Sequence, residues 1–202
     1  MINYKFGIVC AMHEEADKII QALGLSVMHG TLFPVHSNQD VILIESQIGK
    51  VASTLATTHL INAYNPETII NIRIAGSTSA MYKFPNTYII SSVVQCDVYL
   101  PMGKYQDDMY QAIDCTLPTS NTSVIHTATL ATGDKFEDTT DISADLVDME
   151  GFAVAYVAKK YNKPVLLIKA VSDNASDTAQ EMIVANLDQA MDSSIDTLKE
   201  II

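Results

Sequence analysis

Carboxylates recur where this sequence turns out of its apolar runs. Glu14 and Glu15 follow the run at 4–10, DMEG at 148–151 opens a strongly amphipathic stretch, and Ser172-Asp173 closes the run that starts at Pro164. Two turns of small or polar residues accompany them, AGST at 75–78 and GDKF at 133–136. In open α/β sheets, ligands bind beyond the carboxyl ends of strands, so side chains just past apolar strands are the candidates for chemistry. A carboxyl group there can give or take a proton when partial burial tunes its protonation equilibrium. Each residue also has a plainer reading. Glu14, Glu15 and Glu150 suit the first turn of a helix through its dipole, Asp148 suits an N-cap, and Asp173 suits an Asx turn. Phe136 and Met149 suit a core.

The elements that would position these groups follow from periodicity. Residues 4–10 read as a strand, and Met12, Ala16, Ile19, Ile20 and Leu23 then recur at helical spacing before Gly24. Residues 31–36 and 40–46 suggest a hairpin-like pair of strands. A helix is predicted over 50–64, with Val51, Leu55, His59 and Ala63 along one face and Asn65-Pro66 as its stop. Strands are predicted at 68–74, 87–95, 123–132 and 164–171, the last apolar except for Lys169. Met149, Phe152, Ala153, Tyr156 and Val157 form a helical stripe, and a final helix covers about 178–201. Strands alternating with helices predict a three-layer α/β/α fold around a central mixed, mostly parallel twisted sheet.

Length and composition narrow the class. A chain of 202 residues fits one domain spanning 1–202, and no repeat or Pro/Gly/Ser-rich linker divides it. With 48% hydrophobic and 18% charged residues, it has ample material for a core on both sides of a sheet. The net charge of −12, with Arg73 the only arginine, speaks against nucleic acid or an anionic membrane as partner. No apolar run approaches the roughly 20 residues of a membrane span, and the N-terminus lacks the basic region of a signal peptide. Cys10, Cys96 and Cys115 are widely spaced and make neither a disulfide framework nor a CxxC motif, which implies a reducing, cytoplasmic setting. The five histidines show no ligand spacing, so neither a metal nor another cofactor is expected.

GIVCAMHEEAD near the start, IGKVAST at 48–54, NIRIAG at 71–76, TGDKF at 132–136, DMEGFAVA at 148–155 and KAVSDNAS at 169–176 occur in an order and spacing specific as a set. Together they resemble the nucleoside phosphorylase and nucleosidase superfamily, most of all the methylthioadenosine/S-adenosylhomocysteine nucleosidases, over nearly the whole chain. The resemblance implies a homodimer, a purine nucleoside as ligand, and hydrolysis of the bond between ribose C1′ and the base. Cleavage leaves positive charge on the sugar and negative charge on the base. Asp173 resembles the general acid that protonates purine N7, with Ser172 orienting it. Glu150 resembles the acceptor for ribose hydroxyls, above Met149, and its charge favours the cationic transition state. Glu15 resembles the base that holds the attacking water. Phe136 would stack on the purine, and the Glu137 backbone would read the base edge; Met102 is a further candidate near the 5′ substituent.

Three positions depart from that pattern. Arg73 stands where the nucleosidases usually carry a small residue, Ile74 where they carry a hydroxyl, and Lys169 where they carry arginine; all three belong to the expected substrate site. Lys lacks the planar fork of Arg. The stretch between Asp138 and Asp148 is also short for the family. Two alternatives therefore stand beside hydrolysis. Arg73 and Lys169 together could bind phosphate and make a phosphorylase, although in related phosphorylases the phosphate-binding Arg matches Asn71. The fold could also persist as a nucleoside-binding or storage protein without chemistry.

Overall fold

A computed structural model describes residues 3–98, 111–118, 126–135, 143–175 and 179–202. Ten strands and four helices appear among them, in the order β1 (Phe6–Cys10), α1 (His13–Leu23), β2 (Ser26–Met28), β3 (Val35–Ser37), β4 (Val41–Glu45), α2 (Lys50–Tyr64), β5 (Thr68–Ser77), β6 (Thr87–Gln95), β7 (Ile113–Asp114), β8 (Thr127–Thr132), β9 (Leu146–Asp148), α3 (Gly151–Lys160), β10 (Val165–Asp173) and α4 (Ala179–Ile201). All strands join one mixed sheet. Its middle, β4-β1-β5-β10, is parallel, as buried apolar strands joined through helices must be. Antiparallel pairs finish the edge β2-β3-β4 and link β10 to β6 and β5 to β9.

β5 organises the sheet. One of its edges pairs along its length with β10, while the other is shared in turn by two strands. β1 takes 68–71 and β9 takes Gly76 and Ser77. Because β10 continues through β6 and β8 to β9, the pairing closes into a five-stranded ring, with β1, β4, β3 and β2 as an open wing. The backbone between 71 and 76 is therefore free of β1 and faces the gap where the wing leaves the ring.

Two apolar layers cover the sheet. Leu60 and Ile61 of α2 and Phe152, Val154, Ala155 and Ala158 of α3 pack on one face, against Val9, Leu167 and Val171. Ala16 and Ile19 of α1 and Met191, Ile195 and Leu198 of α4 pack on the other, against Ile70, Ile72 and Ile168. This is the expected three-layer arrangement. No described helix is long and apolar enough to cross a membrane.

The differences from expectation have local causes. The strand predicted at 31–36 shrinks to Val35–Ser37, since Pro34 has no N–H to give a ladder. β2, β7 and β9 hold two or three residues each, too few for alternation to register. In α2 the stripe of Val51 and Leu55 points outward, 82% and 58% exposed, and the buried positions are Ser53, Ala56, Thr57, Leu60 and Ile61. Apolar residues surround that helix, so spacing alone selects no face.

Candidate active site

Glu15 separates from its neighbour by burial. Glu14 is exposed and fits the helix-dipole reading, whereas Glu15 is fully buried. From the third position of α1 its Oε2 accepts the Met12 N–H at 3.3 Å, which caps the helix. Its Oε1 accepts the Ile74 N–H at 3.2 Å, on the stretch of β5 that β1 leaves free. Beneath it lies the Cys10 thiol, 3.7 Å from Oε2, whose pKa burial pushes well up, with the Glu15 carboxylate adding to the rise. Ile74, expected at the site for its side chain, places that side chain in the apolar layer under α1 and α4 and contributes its backbone.

Glu150 arrives from the other end of the sequence. β9 runs antiparallel to β5, so the chain beyond Asp148 heads back along β5 toward Arg73. α3 begins at Gly151, which puts Met149 and Glu150 in the entry turn, not on the helix. Glu150 is the N-cap residue, but its side chain caps nothing. It is fully buried; Oε1 accepts the Gly49 N–H at 2.7 Å and Oε2 accepts Nη1 of Arg73. Gly49 can present its N–H there because it sits at φ 101°, a conformation open to glycine. The capping is done by Asp148, whose Oδ2 accepts the Gly151 N–H at 2.8 Å. Met149, between Asp148 and Glu150 in sequence, is half-buried.

Arg73 thus meets both acids. Besides Glu150, its Nε lies 3.5 Å from Glu15 Oε1, and Nη2 lies 3.6 Å from Met12 Sδ. Lys169 is its neighbour across the β5–β10 pairing and is fully buried. Its Nζ donates to Asn71 Oδ1 at 2.5 Å and reaches Asp148 Oδ2 at 2.8 Å. Burial lowers the pKa of this ammonium, and Asp148 pulls against the shift. Lys169, expected to touch substrate, is engaged with Asn71 and Asp148. It holds Asp148, and Asp148 holds the turn that carries Glu150.

Asp173 closes β10 beside Gly76 of β5. Its Oδ2 accepts the Ser172 hydroxyl at 2.7 Å and its Oδ1 accepts the Ala175 N–H at 2.8 Å, so the Asx turn and the orienting serine are both present. A Cβ on Gly76 would stand 2.8 Å from that Oδ1 and 3.1 Å from Ala175 Cβ. Gly76→Ala must therefore push the carboxylate out of its cradle. We expect at least a tenfold loss of turnover, on the scale of misplaced catalytic groups, for about 1–3 kcal/mol of stability. Steady-state kinetics beside a urea melt checks the split; unchanged turnover would contradict it.

The loop after β8 is anchored in the same quarter. Lys50 Nζ reaches Asp97 Oδ1 at 2.5 Å and Asp134 Oδ2 at 3.5 Å, and the Asp134 N–H donates to Asp97 Oδ2 at 2.8 Å. Asp97 titrates below its ordinary range; its partial burial, which alone would raise it, is outweighed by these donors. Phe136, Glu137 and Met102 lie outside the described residues. Sequence reasoning did not find the Gly49 donor, the Asn71–Lys169 contact or this anchor. Only the small IGK turn and the asparagine inside an apolar strand hinted at them. Among the described residues no cluster of three His, Cys, Asp or Glu side chains is placed to hold a metal ion.

The chain is 28% identical over 225 residues to an aminodeoxyfutalosine nucleosidase of Helicobacter pylori, covering 98% of this chain and 97% of the relative. It is 26% identical to a 5′-methylthioadenosine/S-adenosylhomocysteine nucleosidase of Buchnera aphidicola, covering 91% of each. A crystal structure of a Helicobacter pylori protein with 5′-methylthioadenosine in its active site superposes with a TM-score of 0.87 at 25% identity, covering 98% of both chains. The family model described as the phosphorylase superfamily matches residues 5–202, every element of the sheet included, and the chain belongs to that superfamily.

Proposed function

We propose that this chain hydrolyses the N-glycosidic bond of a purine nucleoside, with 5′-modified adenosines such as methylthioadenosine or adenosylhomocysteine as its substrate class, and releases the free base. The observation that carries this reading is the meeting of Glu15 and Glu150, 135 positions apart in sequence, on one buried guanidinium. Asp173 stands at the end of the strand next to β5, which carries that guanidinium. In the proposed reaction Asp173 delivers a proton to purine N7, so the base leaves neutral. Glu150 accepts the ribose hydroxyls and offsets the charge that develops on the sugar. Glu15 takes a proton from the water that attacks C1′. Met149 lies under the sugar, and Phe136 and Glu137 are assigned to the base. The names and the bound nucleoside of the relatives support the same substrate class.

Water is favoured over phosphate as nucleophile by what the cations already touch. Arg73 lies against Glu150 and Glu15, and Lys169 against Asn71 and Asp148. A phosphate would have to displace carboxylates from both. A purely binding protein is disfavoured because fully buried Glu15 and Glu150 carry a desolvation cost that binding alone does not require. Incubating the protein with a panel of purine nucleosides, with and without phosphate, tests the reading. Free base and free sugar at equal rates in both conditions support it, sugar 1-phosphate supports a phosphorylase, and bound but intact nucleosides support a binding protein.

The proposal extends to one catalytic domain over the whole chain, working in the cytoplasm, where its free cysteines Cys10, Cys96 and Cys115 stay reduced. It also extends to a homodimer. Leu32, Ile48, Val51 and Leu55, each more than half exposed, line one groove of about 820 Å³ that includes Gly49, the donor to Glu150. A second copy covering this groove would bury the apolar patch and enclose the site mouth. Sedimentation equilibrium should show a dimer for the wild type and a monomer for Val51→Asp/Leu55→Asp. A wild-type monomer at micromolar concentration would contradict it.

A further inference from the structure

Arg73 is the group that the proposed reaction leaves without a task. It is 6% exposed, lies against both acids, and stands where the catalytic carboxylates would need room for sugar and water. Its Nε is buried without a hydrogen-bond partner, so the pocket does not fit the guanidinium fully. What does match is charge: the guanidinium is a planar, delocalised cation, like the sugar at the moment the base departs. Removing it would leave two buried carboxylates without the guanidinium they share, while Lys169 stays against Asn71 and Asp148.

We infer that Arg73 and the sugar compete for one seat at Glu150, that guanidinium and sugar exclude one another there, and that this residue sets how strongly the site favours a cationic sugar over a neutral one. The inference rests on the reading that Glu150 receives the ribose. When a sugar arrives, Arg73 gives up Glu150 and keeps Glu15, already 3.5 Å away. Its positive charge then stays beside the anomeric carbon and opposes a cationic ligand. Arg73 is therefore a specificity-determining residue, and through Glu15 and Glu150 a positioning one.

Two adenine-bearing probes test this by calorimetry, one with a protonated pyrrolidine in place of the ribose and one with a neutral cyclopentane. In Arg73→Ala and Arg73→Gln, the ratio of the neutral to the cationic dissociation constant should rise at least tenfold over wild type. Glutamine fills more of the space than alanine and keeps hydrogen bonding without the charge, so a rise shared by both variants reports charge and not volume. An unchanged ratio in either folded variant, including equal tightening of both probes, overturns the inference while leaving the proposed function standing. Wild type that binds neither probe and releases no base removes the function and the inference together. A measurement independent of any variant is available because Arg73 is the only arginine. In wild type its single ¹⁵N Nε–H resonance must move when either probe binds, and a resonance that stays put overturns the inference.

Discussion

Asp173→Asn is expected to lower turnover by about two orders of magnitude or more, with nucleoside binding little changed. Asparagine has the same shape and can accept the Ala175 N–H or the Ser172 hydroxyl that cradle the native carboxylate. It can hydrogen-bond to purine N7, but it cannot hand over a proton, so the base must leave as an anion. The loss should fall on kcat and leave KM nearly in place, as for an interaction made only in the transition state. Retention of full turnover, or a loss confined to KM, would remove Asp173 from the acid's role. Ser172→Ala should cost less, since the Ala175 N–H still holds one oxygen.

Lys169→Met is expected to destabilise the fold by about 3–5 kcal/mol, the scale for breaking a buried charge pair by removing one partner. The ammonium is fully buried and holds Asn71 and Asp148, and Asp148 also accepts from Thr132 and Gly151. Without the lysine, Asp148 is left buried without its ion-pair partner, and the turn carrying Glu150 loses its footing. Adding Asp148→Asn to Lys169→Met should recover part of the loss, because the two sites share one interaction and their effects are not additive. Urea denaturation of the wild type, both single variants and the double variant measures this directly. A single-variant loss below about 1 kcal/mol would show that Lys169 bears little of that network.

The sequence makes the framework legible where periodicity is long and strong. β1, β6, β10 and α4 stand close to where apolar spacing puts them, since each buries an apolar face, whereas α2 keeps its expected bounds, stopped at Asn65-Pro66, but not its expected face. Closure of the ring through β9 was not legible. Three residues carry no pattern, and the pairing of β9 with Gly76 and Ser77 depends on β1 leaving β5 early. At the candidate site, strand-end logic singled out Glu15, Glu150 and Asp173 because that position is a property of the chain order. It could not show that Glu15 is buried while Glu14 is exposed, nor that Lys169 is fully buried against Asn71 and Asp148. Those outcomes depend on which side chains from distant segments meet. Arg73 was legible as a departure, but its placement between two acids is a fact of three dimensions.

In the proposed reaction water, aligned by these buried acids, takes the place of the base on the sugar. Its most direct measurement is mass spectrometry of the products when wild-type protein acts on methylthioadenosine in ¹⁸O-enriched water. The expected products are adenine and a methylthioribose carrying one ¹⁸O at C1, formed at a rate unaffected by phosphate. Intact nucleoside after prolonged incubation, or an unlabelled sugar 1-phosphate that forms only when phosphate is added, would contradict it.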